Sequence, residues 1–183
     1  CAPGVAPDME RGFIRVNERF ETSLPGVYAI GDAVGGMMLA HAASAQGLTV
    51  VHAIAGEEAP LCLDAIPACV YVSPEIASVG LTQADCQQRG IEVKVGKALM
   101  GANGRTLIAG GQRGFIKVVV SAENGRVLGA QLMCERATDM IDSFTVAIAN
   151  GLTATQLMRA VRPHPTFLEA VGEALDALEG RAI

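Results

Sequence analysis

Hydrophobic and polar positions along the 183 residues fall into two textures that change near residue 60. In the first, Gly12 to Val16 (GFIRV) alternates like a short strand and leads into a polar stretch closing at Pro25-Gly26, a turn signal. VYAIGDA (27–33) follows as an apolar strand that stops at Gly31-Asp32. After a bend at Gly35 and Gly36, residues 38–55 are dense in alanine and apolar nearly all round, which predicts a long buried helix. The order is strand, tight turn, helix. The acidic Gly56-Glu57-Glu58-Ala59-Pro60 breaks it and sets a domain boundary, 1–60 and 61–183.

Past the boundary, short alternating runs are separated by turns. ACVYVS (68–73), EIASVGL (75–81), IEVKVGKAL (91–99), GFIKVVVS (114–121) and RVLGAQLMC (126–134) read as strands, with a short helix at 82–90. The last two strands flank Ala122-Glu123-Asn124-Gly125, whose Asn-Gly favours an antiparallel hairpin. Helices are predicted over 137–151, stopped by Asn-Gly, over 153–161 behind a Thr cap, and from about Pro165 to Leu178. The fold class that results is α+β, an antiparallel sheet backed by helices, preceded by the strand-turn-helix segment.

Composition narrows the function classes. Half the residues are hydrophobic, enough for a substantial core. Aromatic content of 4% without Trp and a net charge of −5 argue against a nucleic-acid partner. No apolar run approaches the ~20 residues of a membrane span, and the start lacks a basic segment followed by an apolar block, so a cytoplasmic location is expected. Cys1, Cys62, Cys69, Cys86 and Cys134 form no CxxC and have no His at ligand spacing, so no metal site is expected and the thiols read as reduced. Cys1 in place of Met reads as the cut end of a longer chain.

Two segments carry candidate chemistry. In His164-Pro165-Thr166-Phe167-Leu168-Glu169, a residue held out of the helical region by proline precedes a helix expected to start at Pro165, with Glu169 in its second turn. There the carboxylate can fold back to the imidazole, hold its tautomer and favour its protonated form. On the residues alone, a proton-transfer pair and a His capping a surface helix beside an ordinary Glu both remain open. In TSLPGVYAIGDAVGGMMLAHAA (22–43), a strand delivers Asp32 to its carboxyl end just before a helix whose start offers backbone N–H groups. Asp32 either accepts hydrogen bonds from ligand hydroxyls or merely caps the turn. Met37, Met38, Met133, Met140 and Met158 read as core fillers, His52 as a core or boundary residue, and Arg105 most simply as a solvated loop charge, with an interface contact as the alternative.

Taken in order, these segments resemble the pyridine nucleotide-disulfide oxidoreductases, most closely the dihydrolipoamide dehydrogenases. TS-PG-YAIGD with MLAHAA is similar to the family's second flavin-binding motif, and AIPACVYVSPEIASVGLT (65–82) to the entry of its dimerisation domain. ANGRTLI, GFIKVVV, VLGAQL and HPTFLE recur in the same sequence, so the likeness runs through residues 12–178. It implies that 1–60 is the C-terminal remnant of an FAD-binding domain and 61–183 the interface domain. It further implies that Asp32 binds the ribityl chain of FAD, that Met38, Leu39, Ala40 and His41 line the flavin, and that His164 is the acid/base, oriented by Glu169, acting in the active site of the partner in a homodimer. The substrate implied is the dihydrolipoyl group on the lipoyl domain of a 2-oxo acid dehydrogenase or glycine cleavage complex, with NAD as electron acceptor. A glutathione- or mercuric-reductase-like activity, or an inert dimerisation module, are the alternatives.

The segment departs from that family pattern in several places. Arg162 stands where many members have a second histidine, and Leu168 where a serine often precedes the glutamate. Neither GxGxxG turn nor the CxxxxC redox pair occurs in these residues, so the isolated chain is expected to be inactive and to bind no cofactor.

Overall fold

A computed structural model describes residues 6–111 and 113–181, so Cys1 lies outside the described residues. The chain divides into two compact units between Leu63 and Asp64.

The first unit opens with a two-residue hairpin, β1 (Met9–Glu10) on β2 (Phe13–Ile14), turned by Arg11 and Gly12 at positive φ. The expected strand 27–33 does not form a ladder. Among the described residues its only pairing is a bridge from Tyr28 to Glu21, since a strand exists through a neighbour and the adjacent 20–22 segment supplies one rung. Gly31–Val34 instead coils into a single 3-10 turn. Gly35 follows at φ 75°, close against the Phe13 ring, where a side chain would collide.

The helix α1 spans Ala40–Ala55, two residues later than expected at its start, and ends on Gly56 in the left-handed region. It is not buried. Only Ala42, Gln46 and Val50 lie inside, while Leu48, Val51 and Ile54 are exposed. Gln46 is buried because its Oε1 accepts the Gly31 N–H at 2.7 Å, fixing the 3-10 turn to the helix. Met37 and Met38 are exposed as well, which corrects their reading as core fillers. His52 Nδ1 lies 3.0 Å from Glu57 Oε2 at the helix end.

The second unit is a five-stranded antiparallel sheet, β3 (Ala68–Val70), β4 (Glu75–Gly80), β5 (Val93–Leu99), β6 (Phe115–Ser121) and β7 (Val127–Cys134), in the order β3-β4-β7-β6-β5. The β6–β7 hairpin turns through the expected Ala122 to Gly125, with the Ser121 N–H donating to the Arg126 carbonyl. Register sets the core face: Ala77 and Ile116 both oppose Leu132, and Val79 and Val118 both oppose Ala130.

Three helices cover that face, α4 (Ala137–Met140), α5 (Asp142–Ala149) and α7 (Glu169–Asp176). They bring in Phe144, Val171 and Leu175, with Ile141 at the junction of α4 and α5, all at about zero exposure. At β5, Gly96 admits α7: a methyl there would overlap the Ala174 carbonyl. Short helices α2 (Gln83–Gln88) and α6 (Ala154–Met158) begin at Thr82 and Thr153 with reciprocal capping boxes. α3 (Gly104–Ile108), unforeseen in the sequence, is capped by Asn103. No helix among the described residues is long and apolar enough to cross a membrane.

Candidate functional site

In the second unit, the turn that precedes α7 carries the imidazole. His164 Nδ1 lies 2.8 Å from Glu169 Oε1, with the His side chain 78% exposed and the Glu side chain 28% exposed. The Thr166 N–H donates to the other carboxylate oxygen at 2.9 Å. That backbone donor first, and the imidazole second, hold the Glu169 carboxyl below the ordinary carboxylate range. An ionised carboxylate only accepts hydrogen bonds, so Nδ1 carries the proton and, in the neutral ring, Nε2 presents a lone pair to the outside. The arrangement is a base with a fixed tautomer and an accessible nitrogen.

The helix does not begin at Pro165, as the residue pattern predicts, but at Glu169. A helix begun there would have the Thr166 carbonyl accept from Ala170; here that carbonyl accepts from the Asn103 side chain, and Ala170 N–H turns to Phe167. Glu169 therefore sits at the first residue of α7, not in a second turn, and still reaches the ring. The Thr166 N–H to Glu169 bond is half of a capping box, which would start a helix at Phe167; the Thr166 hydroxyl instead donates to the Pro163 carbonyl, and Leu168 takes the N-cap position. Arg162, the departure beside His164, turns its guanidinium to the Ala160 and Leu157 carbonyls.

In the first unit, Asp32 is exposed on its 3-10 turn. Leu39 leads into α1 without a side-chain cap, and Ala40 and His41 are exposed first-turn residues, with Met38 exposed just ahead of them. No group of three or more His, Cys, Asp or Glu among the described residues could hold a metal ion.

Residues 66–175 match the model of the pyridine nucleotide-disulphide oxidoreductase dimerisation domain, and residues 5–47 match a second model described as pyridine nucleotide-disulphide oxidoreductase. The chain belongs to the pyridine nucleotide-disulphide oxidoreductase family. Among relatives of this family member, the dihydrolipoyl dehydrogenase of Chlorobaculum tepidum is 44% identical over 96% of the chain and 38% of the relative. That of Thermus scotoductus is 44% identical over 98% and 39%. The mitochondrial dihydrolipoyl dehydrogenase of Caenorhabditis elegans is 40% identical over 94% and 35%. The chain thus spans little more than a third of the length of these curated relatives.

Among solved structures, LpdA from Mycobacterium tuberculosis superposes with a TM-score of 0.88 at 27% identity, covering 95% of this chain and 38% of that one. The HOCl-induced flavoprotein disulfide reductase RclA from Escherichia coli superposes at 0.83 and 26%, covering 94% and 40%. Within the oxidoreductase dimerisation region, reading the residues alone missed Asn103 and Thr166, the groups that fix the His164 turn. Both stand in segments quoted for the resemblance, ANGRTLI and HPTFLE, but nothing local in either points to the other.

Proposed function

We propose that this chain supplies the interface portion and the acid/base of a homodimeric, FAD-dependent dihydrolipoyl dehydrogenase that passes two electrons from a dihydrolipoyl group to NAD. Carrying the reading is the His164–Glu169 pair at 2.8 Å with its imidazole exposed, inside a segment that the dimerisation-domain model matches. The thiolate attacks a disulfide and the thiol does not, so dithiol oxidation needs a base to collect the thiol proton. His164 Nε2 is such a base, and Glu169 stabilises the imidazolium once the proton arrives. Oxidation of the dithiol releases two electrons and two protons; a hydride leaves on the nicotinamide and the second proton passes through His164 to solvent.

The first unit fits a flavin. Asp32 offers an exposed carboxylate to sugar or polyol hydroxyls, and Met38, Leu39, Ala40 and His41 stand at the start of α1 to line the ring. A bound flavin supplies two-electron acceptor chemistry. The lipoyl domain of a 2-oxo acid dehydrogenase or glycine cleavage complex is the macromolecular partner under this reading, and the 183 residues by themselves form a dimer without turnover.

In the full-length protein that carries this segment, His164→Gln lowers turnover of dihydrolipoamide with NAD by about 10²–10⁴-fold, with flavin absorbance per subunit unchanged. Loss of flavin with unchanged turnover per remaining flavin would overturn the assignment.

A further inference from the structure

We infer that Asn103 is a positioning residue for the His164–Glu169 pair, acting through Thr166 across 63 residues of sequence. This rests on the functional reading above only in treating the pair as catalytic.

Asn103 is 2% exposed, at the corner where β5 passes through the 3-10 turn Met100–Ala102 into α3. Its own N–H donates to the Met100 carbonyl and its carbonyl accepts from Leu107, so its backbone is held from both sides. The orientation of the side-chain amide is forced by its neighbours. Oδ1 accepts from Thr106 N–H at 2.9 Å and from the Thr106 hydroxyl at 3.1 Å, while Nδ2 faces the Thr166 carbonyl at 3.0 Å. Donors on one side and an acceptor on the other leave a single amide orientation that satisfies them all.

Thr166 then has no freedom left. Its carbonyl takes Asn103, its hydroxyl gives to Pro163, and its N–H gives to Glu169, whose second oxygen holds the imidazole. Arg105, two residues after Asn103, lies 5.9 Å from the centre of the Phe167 ring and adds a second contact between the same two segments. Without the Asn103 donor, the Thr166 carbonyl is free to accept Ala170 N–H and draw the 165–168 turn into α7. Coiling 165–168 into the helix also resets the adjoining Pro165–Thr166 peptide, whose N–H steadies Glu169, and His164 loses its fixed acceptor. A buried, satisfied amide that merely capped α3 would need only its oxygen; the nitrogen side of Asn103 is spent on the His164 turn.

Asn103→Ser separates the two jobs. A serine hydroxyl still accepts Thr106 N–H as a helix cap but is too short to reach Thr166. The readout is the ¹⁵N tautomer pattern of His164 in the 183-residue chain, where the imidazoles to assign are His41, His52 and His164. In the unsubstituted chain the neutral His164 ring is predominantly Nδ1–H; in Asn103→Ser it shifts to predominantly Nε2–H, with α3 amide resonances retained. Asn103→Asp, which keeps both cap bonds and turns the donor into an acceptor, gives the same shift and serves if the serine variant does not fold. In the full-length protein either variant lowers kcat for dithiol oxidation by about 10–100-fold with KM for NAD unchanged. A tautomer pattern unmoved in a folded variant overturns the inference, even if stability falls. A moved tautomer in a protein whose turnover does not depend on His164 leaves the positioning role standing and overturns the proposed function instead.

Discussion

Replacing Gly96 by alanine tests whether the seat of α7 on the sheet also governs the candidate site. The added methyl would overlap the Ala174 carbonyl and come within 3.0 Å of the Leu178 side chain. The first conflict is with helix backbone, which cannot swing aside as a side-chain tip does, so α7 must lift. Overpacking of this kind costs roughly 1–3 kcal/mol. The unfolded chain loses freedom when Gly becomes Ala, which returns about 0.4–1 kcal/mol. The net expectation is a loss of about 1–2 kcal/mol, or about 3–8 °C in the melting temperature of a unit of this size. Urea unfolding followed by circular dichroism, with the slope unchanged, measures the first quantity, and calorimetry the second. Because α7 begins at Glu169, the Glu169 carboxyl midpoint in ¹³C NMR should rise in the same variant, as Thr166 N–H and carboxylate drift apart. Gly101→Ala is the control: its Cβ meets nothing within 4 Å, and it leaves stability unchanged or slightly higher. A Gly96→Ala chain as stable as the parent would refute the claim that α7 is seated by contact at this glycine.

Two further outcomes follow from charge and burial. The Glu169 pKa is depressed in the folded chain, so its contribution to stability is present above the unfolded carboxyl value near 4.5 and disappears as pH falls through the lower folded value. The gap in urea midpoint between the parent chain and Glu169→Gln should therefore be open at pH 6 and closed well below pH 4; a gap of constant size would remove the argument. Cys134, buried and facing Glu75 across the β4–β7 pair, has its thiol pushed up to about 12, while Cys62 is exposed. Iodoacetamide at pH 8 should modify Cys62 in the folded chain and reach Cys134 only after unfolding, as read by peptide mass spectrometry; early labelling of Cys134 would contradict the packing of β7.

Much of the second unit is legible in the residue pattern because the rules that build it are local. Alternation along 75–80, 93–99, 115–121 and 127–134 marks the strands, Asn124-Gly125 marks the hairpin, and Thr82 and Thr153 announce their helices through hydroxyls that reach donors three residues away. The His164–Glu169 contact is of the same kind, five residues apart and joined inside one turn. Where the pattern misled, the deciding partner lay elsewhere in the chain. VYAIGDA has the composition of a strand but finds one rung of pairing, and residues 40–55 have the composition of a buried helix but cover only one side. Hydrophobicity reports what a segment can bury, not what is there to bury it against.

The residues alone thus marked the strands of the second unit and brought an imidazole and a carboxylate into one short segment, while α3 and its Asn103 cap went unmarked. Only the tertiary structure decided where α7 begins, because that depends on an amide 63 residues away claiming the Thr166 carbonyl before the helix can. A hydrogen bond of 3.0 Å between segments so distant leaves no periodic trace in either of them, and it sets the frame in which the imidazole is held.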